Sequence, residues 1–259
     1  MELEGHYALV TGAGSGLGAA AAIKLAEAGA ALALLGRTRE ELEATAASVT
    51  QFGREPLILV ADVAEEAPMR LAFEEVARAF PQLDFVFANA GINGTWAPIE
   101  ELSYDEWNRT NSINMGGTFL TVHFAVPLMK KRGGSIAITS SINGTRTFTT
   151  AGASAYSTSK AGQLAFGKMA ALELARYRIR VNVICPGAIR TNIGQNTFRV
   201  NTDSIKVAAD YPDGTVPLTG GEPGTAEEVG DLVLFLASDR SRHISGTPIW
   251  IDGAQSLLI

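Results

Sequence analysis

Hydrophobic and polar positions alternate along the chain in blocks that predict strands and helices in turn. Short apolar runs typical of buried strands are followed by segments with apolar residues at helical spacing. The predicted strands are Tyr7–Val10, Ala31–Leu35, Leu57–Ala61, Phe85–Ala88, Ser135–Ser140, Arg180–Cys185 and Thr247–Ile251. This alternation predicts an α/β fold with a parallel sheet that helices cover on both faces.

Polar residues at the predicted helix starts have the spacing of capping boxes, in which two side chains satisfy free backbone N–H groups. The boxes are Thr38 with Glu41, Ser103 with Glu106, and Thr225 with Glu228. The predicted helices are Ala19–Ala28, Thr38 to about Gln51, one that has Pro68 near its start, Ser103 through Asn114 toward Met129, Ala155–Tyr177, and one that begins after Thr225. Gly116, Gly117 and Pro127 are poor helix formers and are expected to loosen or bend the helix that contains them.

The periodic pattern stops between residues 188 and 224, where Thr, Asn, Gly and Pro dominate. A long loop inside a compact domain is more typical of a binding segment than of a linker. We therefore predict a single domain over residues 1–259, with 188–224 as a substrate-binding lid.

Composition narrows the classes of partner. The net charge of −6 and the pI near 5.2 argue against nucleic acid or an acidic membrane and favour a small molecule. The start Met1–Glu4 is acidic and no apolar run is long enough to cross a bilayer, so we expect a cytoplasmic protein without a signal peptide. Cys185 is interpreted as a buried structural thiol, and the absence of a Cys/His cluster predicts no metal site.

The glycine-rich stretch 11–18 lies between the first predicted strand and the first predicted helix. Glycines allow a tight turn and bring backbone N–H groups close to a ligand, and a helix N-terminus stabilises a pyrophosphate. The stretch therefore predicts a dinucleotide site, with an ordinary tight turn as the alternative.

Four separated motifs occur together in the chain: Thr11-Gly12-x-x-x-Gly16-x-Gly18, Asn89-Ala90-Gly91, Tyr156-x-x-x-Lys160 and Pro186-Gly187. In this order they resemble the short-chain dehydrogenase/reductase family, including its members similar to 3-oxoacyl-[acyl-carrier-protein] reductase. The resemblance implies a single doubly wound parallel sheet of about seven strands, in the order 3-2-1-4-5-6-7, with helices on both faces. It further implies an enzyme that transfers a hydride between NADP(H) or NAD(H) and a ketone or secondary alcohol. It also implies a homo-oligomer, either a tetramer or a dimer, with the tail Ser256–Ile259 packed on a neighbouring subunit. Ala88 and Ala254 depart from the family's usual pattern.

The catalytic pair can be argued from the residues themselves. Tyr156 and Lys160 are four positions apart and share one face of a predicted helix. A nearby ammonium and the positive nicotinamide ring favour the phenolate and are expected to lower the pKa of the tyrosine, which would then act as general acid and base. The alternative is a surface tyrosine beside a solvated lysine.

Two more catalytic residues follow from the resemblance. Ser141 would hydrogen-bond the substrate oxygen, with Ser140 as the fallback. Asn114 would disturb its helix locally and hold a water that relays protons toward Lys160, although an Asn in a helix is also compatible with a tolerated polar residue.

The end of the second strand bears on the choice of coenzyme. It reads Leu35-Gly36-Arg37, without the carboxylate that usually binds the ribose hydroxyls of NAD. Arg37 suits a 2′-phosphate, so NADP(H) is predicted in preference to NAD(H). The resemblance assigns Asp62-Val63 to adenine and Thr191 to the nicotinamide carboxamide. The complete set of predicted coenzyme contacts is Gly12, Ser15, Gly16, Leu17, Gly18, Arg37, Asp62, Val63, Asn89, Ala90, Gly91, Tyr156, Lys160, Pro186, Gly187, Ile189 and Thr191.

The substrate is less determined. Ser141, Arg146 and Tyr156 are the predicted substrate contacts, and Phe148 and Trp96 are expected to border the pocket. Arg146 would favour a polar or anionic substrate group unless it is simply solvated. A 3-oxoacyl thioester, a sugar and a hydroxysteroid-like ketone all remain open. The alternative functions are an NAD-dependent alcohol or sugar dehydrogenase and a non-catalytic nucleotide-binding regulatory protein, and the presence of all four catalytic groups favours an enzyme.

Overall fold

The structure is a computed structural model that describes residues 1–207 and 214–258. These residues contain nine strands and seven α-helices. The strands are β1 Tyr7–Thr11, β2 Ala31–Gly36, β3 Leu57–Val60, β4 Phe85–Ala88, β5 Gly94–Trp96, β6 Gly134–Thr139, β7 Ile179–Pro186, β8 Thr197–Arg199 and β9 Pro248–Ile251. The helices are α1 Gly16–Glu27, α2 Arg39–Thr50, α3 Glu66–Ala79, α4 Tyr104–Asn111, α5 Gly117–Met129, α6 Ser154–Leu174 and α7 Ala226–Ala237.

The main sheet has seven parallel strands in the order β3-β2-β1-β4-β6-β7-β9. Counted within this sheet the order is 3-2-1-4-5-6-7, so the predicted fold and strand order are confirmed. β5 and β8 pair in a separate two-stranded sheet that the sequence did not indicate. Each of these strands has three residues, which is too short for a hydrophobic period to be visible.

Helices cover both faces of the main sheet because alternate side chains of each strand point in opposite directions. In β1, Leu9 packs into a core that includes residues of α3, α5 and α6. Its neighbours Ala8 and Val10 pack into the opposite core with α1, α2 and α7. Burial on both sides explains why the strands are continuously apolar rather than alternating.

The three predicted capping boxes differ in the structure. Thr225 and Glu228 form the complete reciprocal box at the start of α7. Ser103 accepts a hydrogen bond from the backbone of Glu106, whose own carboxylate instead accepts from Thr95. Thr38 precedes α2 but makes no side-chain cap, so the prediction of a box there was wrong. Spacing alone cannot show where a glutamate side chain finds its strongest partner.

The helix predicted from Ser103 toward Met129 is interrupted by a single wide turn. α4 ends at Asn111, residues Ser112–Gly116 form a π-helix, and α5 follows. Pro127 lies inside α5 near its end, and the helix continues to Met129. The interruption therefore occurs at the turn that contains Asn114 and not at the proline.

The segment 188–224 contains more regular structure than the sequence pattern indicated. Besides β8 it has short 3₁₀ turns at Asn192–Asn196, Thr202–Ile205 and Pro217–Thr219. Residues 208–213 of the predicted lid, and Ile259 of the predicted tail contact, lie outside the described residues. Within the described ranges, none of the helices combines the length and hydrophobicity that crossing a bilayer requires.

Candidate active site

A cleft of about 740 Å³ opens at the carboxyl ends of the parallel strands. It lies where the strand order reverses between β1 and β4, which is the usual ligand position in an open α/β sheet. The glycine turn lines one end, and Ser141 and Tyr156 line the other. The fold therefore brings residues from most of the chain's length to one groove.

Most of the predicted site residues line this cleft. They are Gly12, Ser15, Gly16, Leu17, Arg37, Asp62, Val63, Asn89, Ala90, Gly91, Ser141, Tyr156, Lys160, Pro186, Gly187, Ile189 and Thr191. Among the described lining residues, Gly18, Asn114 and Arg146 are absent, and each of these three has a different environment.

The glycine turn presents backbone to the cleft. Gly12 and Gly16 have φ values of +65° and +52°, which glycine adopts without strain. Ser15 precedes α1 and makes no side-chain cap, so it leaves the first N–H groups of the helix free of that side chain. Gly18 packs beneath the turn, where an added Cβ would overlap the carbonyl oxygen of Gly12. The turn has the form of an anion-binding helix N-terminus.

Asn89 ties together the ends of three strands. Its Nδ2 donates to the carbonyl oxygen of Thr11 at 3.1 Å, and its Oδ1 accepts from the hydroxyl of Thr139 at 3.1 Å. The Thr11 hydroxyl in turn accepts from the backbone N–H groups of Asn89 and Ala90. This network holds the ends of β1, β4 and β6 in register at the floor of the cleft.

Tyr156 and Lys160 lie next to each other on α6 and are almost fully buried, with 7% and 3% exposure. The lysine Nζ is 5.5 Å from the centroid of the tyrosine ring and donates to the carbonyl oxygen of Thr139 at 3.1 Å. The alternative of a surface tyrosine beside a solvated lysine is thereby excluded.

The pKa of the pair is governed by burial. Burial raises the pKa of Tyr156, and the adjacent Ser141 hydroxyl lowers it to a smaller extent. The same burial lowers the pKa of Lys160 to about 8, while Cys185 raises it slightly. The structure therefore raises the tyrosine pKa where a lowered one was predicted, because the sequence does not show how deeply a phenol is buried.

The two adjacent serines at the end of β6 have different environments. The Ser140 hydroxyl donates to the carbonyl oxygen of Lys160 at 2.6 Å and is committed to the backbone of α6. The Ser141 oxygen accepts from the backbone N–H of Asn143 at 3.1 Å and neighbours Tyr156. Of the two, Ser141 has the hydroxyl placed to reach a substrate.

Asn114 is fully buried in the π-helical turn, behind the cleft wall. Its side chain bonds both backbone groups of Ile92 and donates to the Ser159 hydroxyl at 2.9 Å. The backbone carbonyl oxygen of Asn114 accepts from the side chains of Gln163 and Thr118, so both of its lone pairs have protein partners. A Cβ at Gly91 would lie 3.0 Å from Asn114 Oδ1 and 3.5 Å from Lys160 Nζ, which places Asn114 close to the lysine.

At the opposite end of the cleft, Arg37 follows β2 with its side chain half exposed. Its Nη1 lies 3.8 Å from Oδ2 of Asp62, which is a loose ion pair. Glu41 also lines this end, and an added Cβ at Gly14 would lie 3.2 Å from its Oε2. The spacing of Glu41 from Thr38 predicted only a helix cap and gave no indication of a role in the cleft.

Arg146 is not placed as its predicted role requires. Its guanidinium stacks on the ring of Trp250 at 3.5 Å and lies within 3.5 Å of the Ser256 hydroxyl. Phe148, which was expected to border the pocket, is 76% exposed and is likewise absent from the described cleft lining, whereas Trp96 is present there. A loop arginine has several partners within reach, and only the tertiary structure decides which one it takes.

Several cleft residues had no signal in the sequence. Asn93, Asn143 and Gln255 line the part of the cleft beyond the tyrosine. The Gln255 side chain accepts from the backbone of Ala188 at 2.7 Å, which links the C-terminal segment to the turn after β7. These are common polar residues in irregular segments, so their contribution depends on how distant segments meet.

Comparisons with known proteins agree with this geometry. A family model described as enoyl-(acyl carrier protein) reductase matches residues 12–254. Levodione reductase of Leifsonia aquatica is 35% identical over 252 residues, which cover 96% of this chain and 93% of that protein.

Two solved structures are similar over almost the whole chain. A 3-ketoacyl-ACP reductase from Sinorhizobium meliloti 1021 has a TM-score of 0.94 and 50% identity, and the match covers 98% of this chain and 100% of that one. Carveol dehydrogenase from Mycobacterium avium, solved in complex with NAD, has a TM-score of 0.87 and 27% identity, with coverage of 100% and 99%. On these matches and on the motifs that meet in the cleft, the chain belongs to the short-chain dehydrogenase/reductase family, whose members are oxidoreductases acting on alcohols and ketones with NAD(P).

Proposed function

We propose that this protein interconverts a ketone and a secondary alcohol, with Tyr156 as the general acid and base. The observation that carries the proposal is that Ser141, Tyr156 and Lys160 line the same cleft as the glycine turn. A hydroxyl donor, a proton donor and a buried cation at one end of a groove that the glycine turn also lines suit carbonyl reduction and its reverse.

The cleft residues fit a nicotinamide coenzyme. The free N-terminus of α1 suits the pyrophosphate, and the positive φ angles of Gly12 and Gly16 bring the turn's backbone to the groove. Thr191 lies opposite, where a Cβ at Gly16 would be 3.5 Å from its own Cβ. When bound, the coenzyme supplies or takes up the hydride.

The protein's residues manage the proton. In reduction, Tyr156 donates its hydroxyl proton to the carbonyl oxygen, and in oxidation it takes the proton back from the alcohol. Ser141 donates a hydrogen bond to the same oxygen as negative charge develops on it. Lys160 stabilises the phenolate that remains after proton transfer. The raised pKa of Tyr156 keeps it protonated before reduction begins.

The substitution Tyr156→Phe tests this assignment. It is expected to lower kcat at least about a hundredfold, because general acid catalysis is lost while the ring and its packing remain. The measurement is NAD(P)H absorbance with a panel of ketones, together with coenzyme binding by fluorescence titration, which should be unchanged. Tyr104→Phe, at a tyrosine that is 76% exposed, is the matched control.

Turnover by Tyr156→Phe at the wild-type rate would refute the assignment. A wild-type protein that binds coenzyme but converts no member of the panel would instead favour the regulatory alternative.

The preferred coenzyme is proposed to be NADP(H). Arg37 lies at the adenosine end, and its one ion pair with the described residues is the loose contact with Asp62, so its planar fork is available to a 2′-phosphate. Glu41 is the specific observation that favours the second candidate, NAD(H), because a carboxylate beside Gly14 can accept from ribose hydroxyls. The similar carveol dehydrogenase structure contains NAD.

Paired substitutions separate the two coenzymes. Arg37→Ala is expected to lower kcat/KM for NADPH by about tenfold or more and to leave NADH nearly unchanged, since charged hydrogen bonds are the stronger ones. Arg39→Ala removes a neighbouring exposed arginine that pairs with Glu43 and serves as control. Equal losses for both coenzymes would contradict the phosphate role. A wild-type preference for NADH that Glu41→Gln abolishes would establish NAD(H) instead.

The proposed assembly is a homo-oligomer joined through α5 and α6. Phe119, Met169 and Leu172 are 51%, 66% and 78% exposed, and Phe119 packs against Phe166 so that the two helices share this face. Large apolar side chains grouped in this way are typical of a protein interface. A second copy of this chain is the partner proposed for the face.

A further inference from the structure

The substrate end of the cleft carries almost no charge. We define it as the lining residues Asn93, Trp96, Asn143, Thr147, Thr150 and Gln195 together with Ser141 and Tyr156. The charged residues of the described lining are Arg37, Glu41, Asp62 and Lys160. The first three lie at the adenosine end, and Lys160 is bonded to the Thr139 carbonyl beside Tyr156. A substrate carboxylate or phosphate would lose its hydration there without gaining a further counter-ion.

The side-chain oxygen of Asn143 is bonded within its own loop. Oδ1 accepts from the hydroxyls of Thr147 and Thr150, at 3.0 and 3.1 Å, and these use both of its lone pairs. In this arrangement Nδ2 is the part of the amide available to a ligand.

Nδ2 of Asn143 makes no hydrogen bond to residues 1–207 or 214–258, and the residue lines the cleft. The neighbouring amide of Asn93 differs, because its Nδ2 donates to the Thr197 hydroxyl at 2.7 Å. Asn143 is also tied to the reacting centre, since its backbone N–H donates to the Ser141 oxygen at 3.1 Å. The two N–H groups of Asn143 Nδ2 therefore lie near the Ser141 hydroxyl, which bonds the reacting oxygen. They suit a second oxygen acceptor on the same substrate.

We infer that the substrate is an uncharged alcohol or ketone with a second oxygen, and that this oxygen accepts a hydrogen bond from Asn143 Nδ2. The inference rests on the proposed function and assigns Asn143 as a residue that selects diols and hydroxyketones over simple alcohols.

Wild-type kinetics with matched alcohols test the substrate class. The panel is cyclohexanol with the 1,2-, 1,3- and 1,4-cyclohexanediols, butan-2-ol with butane-2,3-diol, and trans-4-hydroxycyclohexanecarboxylate, each with NAD⁺ and NADP⁺. The best diol is expected to have about tenfold higher kcat/KM than its simple alcohol, and the carboxylate none of this advantage. Equal use of diols and simple alcohols would overturn the inference and leave the proposed function intact. Failure to oxidise any member would overturn both.

Two substitutions test the role of the amide. Asn143→Leu has a similar volume but no donors, so the ratio of kcat/KM for diol over simple alcohol should fall to about one while the simple alcohol is still oxidised. Asn143→Asp keeps an acceptor for Thr147 and Thr150 and can accept from a diol hydroxyl, but it cannot donate to an ether oxygen. It should therefore retain the preferred diol and lose about tenfold on that diol's monomethyl ether.

The control is Asn108→Asp, an exposed position on α4, which should leave every ratio unchanged. A merely structural role for Asn143 would lower kcat/KM for all substrates in the same proportion. That result, or an Asn143→Asp enzyme that treats ether and diol alike, would overturn the inference.

Discussion

Burial acts on both members of the Tyr156–Lys160 pair by disfavouring their charged forms. The phenol stays protonated because its pKa is raised, and the ammonium loses its proton near pH 8 rather than near its ordinary value of 10.5. Below that pH the lysine remains charged inside the protein, held by the Thr139 carbonyl. The site thus keeps a proton donor and a cation together at neutral pH, at a cost in stability.

The lowered pKa of Lys160 predicts a pH dependence of stability. Between about pH 8 and 10.5 the lysine is neutral in the folded protein but still charged in the unfolded chain, so the unfolded state binds more protons and stability rises with pH. Relative to Lys160→Met, the wild-type free energy of unfolding should therefore increase across this window by up to about 3 kcal/mol.

Urea denaturation at a series of pH values measures this difference. Below pH 8 the two proteins should differ by a constant amount. Lys168→Met, an exposed lysine on the same helix, should give a profile parallel to that of the wild type. A parallel profile for Lys160→Met as well would show that the lysine keeps its ordinary pKa.

At the scale of the element, helix termini differ in how well their free N–H groups are satisfied. The start of α7 has both bonds of a capping box, between Thr225 and Glu228. The start of α2 has no side-chain cap although Thr38 stands at the same position. The start of α1 has none either, and this is the terminus that the cleft uses.

This difference predicts that replacing the threonine before the helix by alanine destabilises the protein at α7 but not at α2. Thr225→Ala should lower the free energy of unfolding by about 1 kcal/mol, because it removes a side-chain acceptor from a backbone N–H. Thr38→Ala should change it by less than about 0.5 kcal/mol, since no such bond is lost. Urea denaturation midpoints measure both. Equal destabilisation by the two variants would mean that the box at α7 contributes nothing beyond intrinsic capping preference.

At the scale of the whole molecule, the cleft lies at the carboxyl ends of the strands, and a separate group of exposed apolar residues lies on α5 and α6. Cleft-lining residues come from the ends of β1, β2, β4, β6 and β7, whereas Phe119, Met169 and Leu172 lie on helices. The cytoplasmic location and the role of 188–224 as a lid stay predictions.

The exposed face predicts the behaviour of one substitution in solution. Leu172→Glu should shift the protein to smaller species in sedimentation velocity, because a charge would be buried against the second copy. Leu71→Glu, at a residue that is 55% exposed on α3, should leave the distribution unchanged. A wild-type protein that sediments as a monomer would contradict the proposed assembly.

Hydrophobic period was enough to predict the parallel sheet, because both sides of each strand are buried. The strand order and the family followed from the four joint motifs, one of which is the glycine turn that needs residues without a Cβ. Tyr156 and Lys160 were indicated by their own motif, since one helical turn relates the two residues. Oxidoreductase activity, predicted from the joint motifs, is confirmed at the level of the family.

The tertiary structure alone decided what surrounds these residues. Burial of Tyr156 reversed the expected direction of its pKa, the guanidinium of Arg146 stacks on Trp250, and two threonine hydroxyls bond the amide oxygen of Asn143. Each outcome depends on contacts between segments far apart in the chain or on desolvation, and neither quantity has a local signature. The sequence by itself determined which chemistry the cleft contains, whereas packing determined the charge state of its groups and which polar atoms remain free for a substrate.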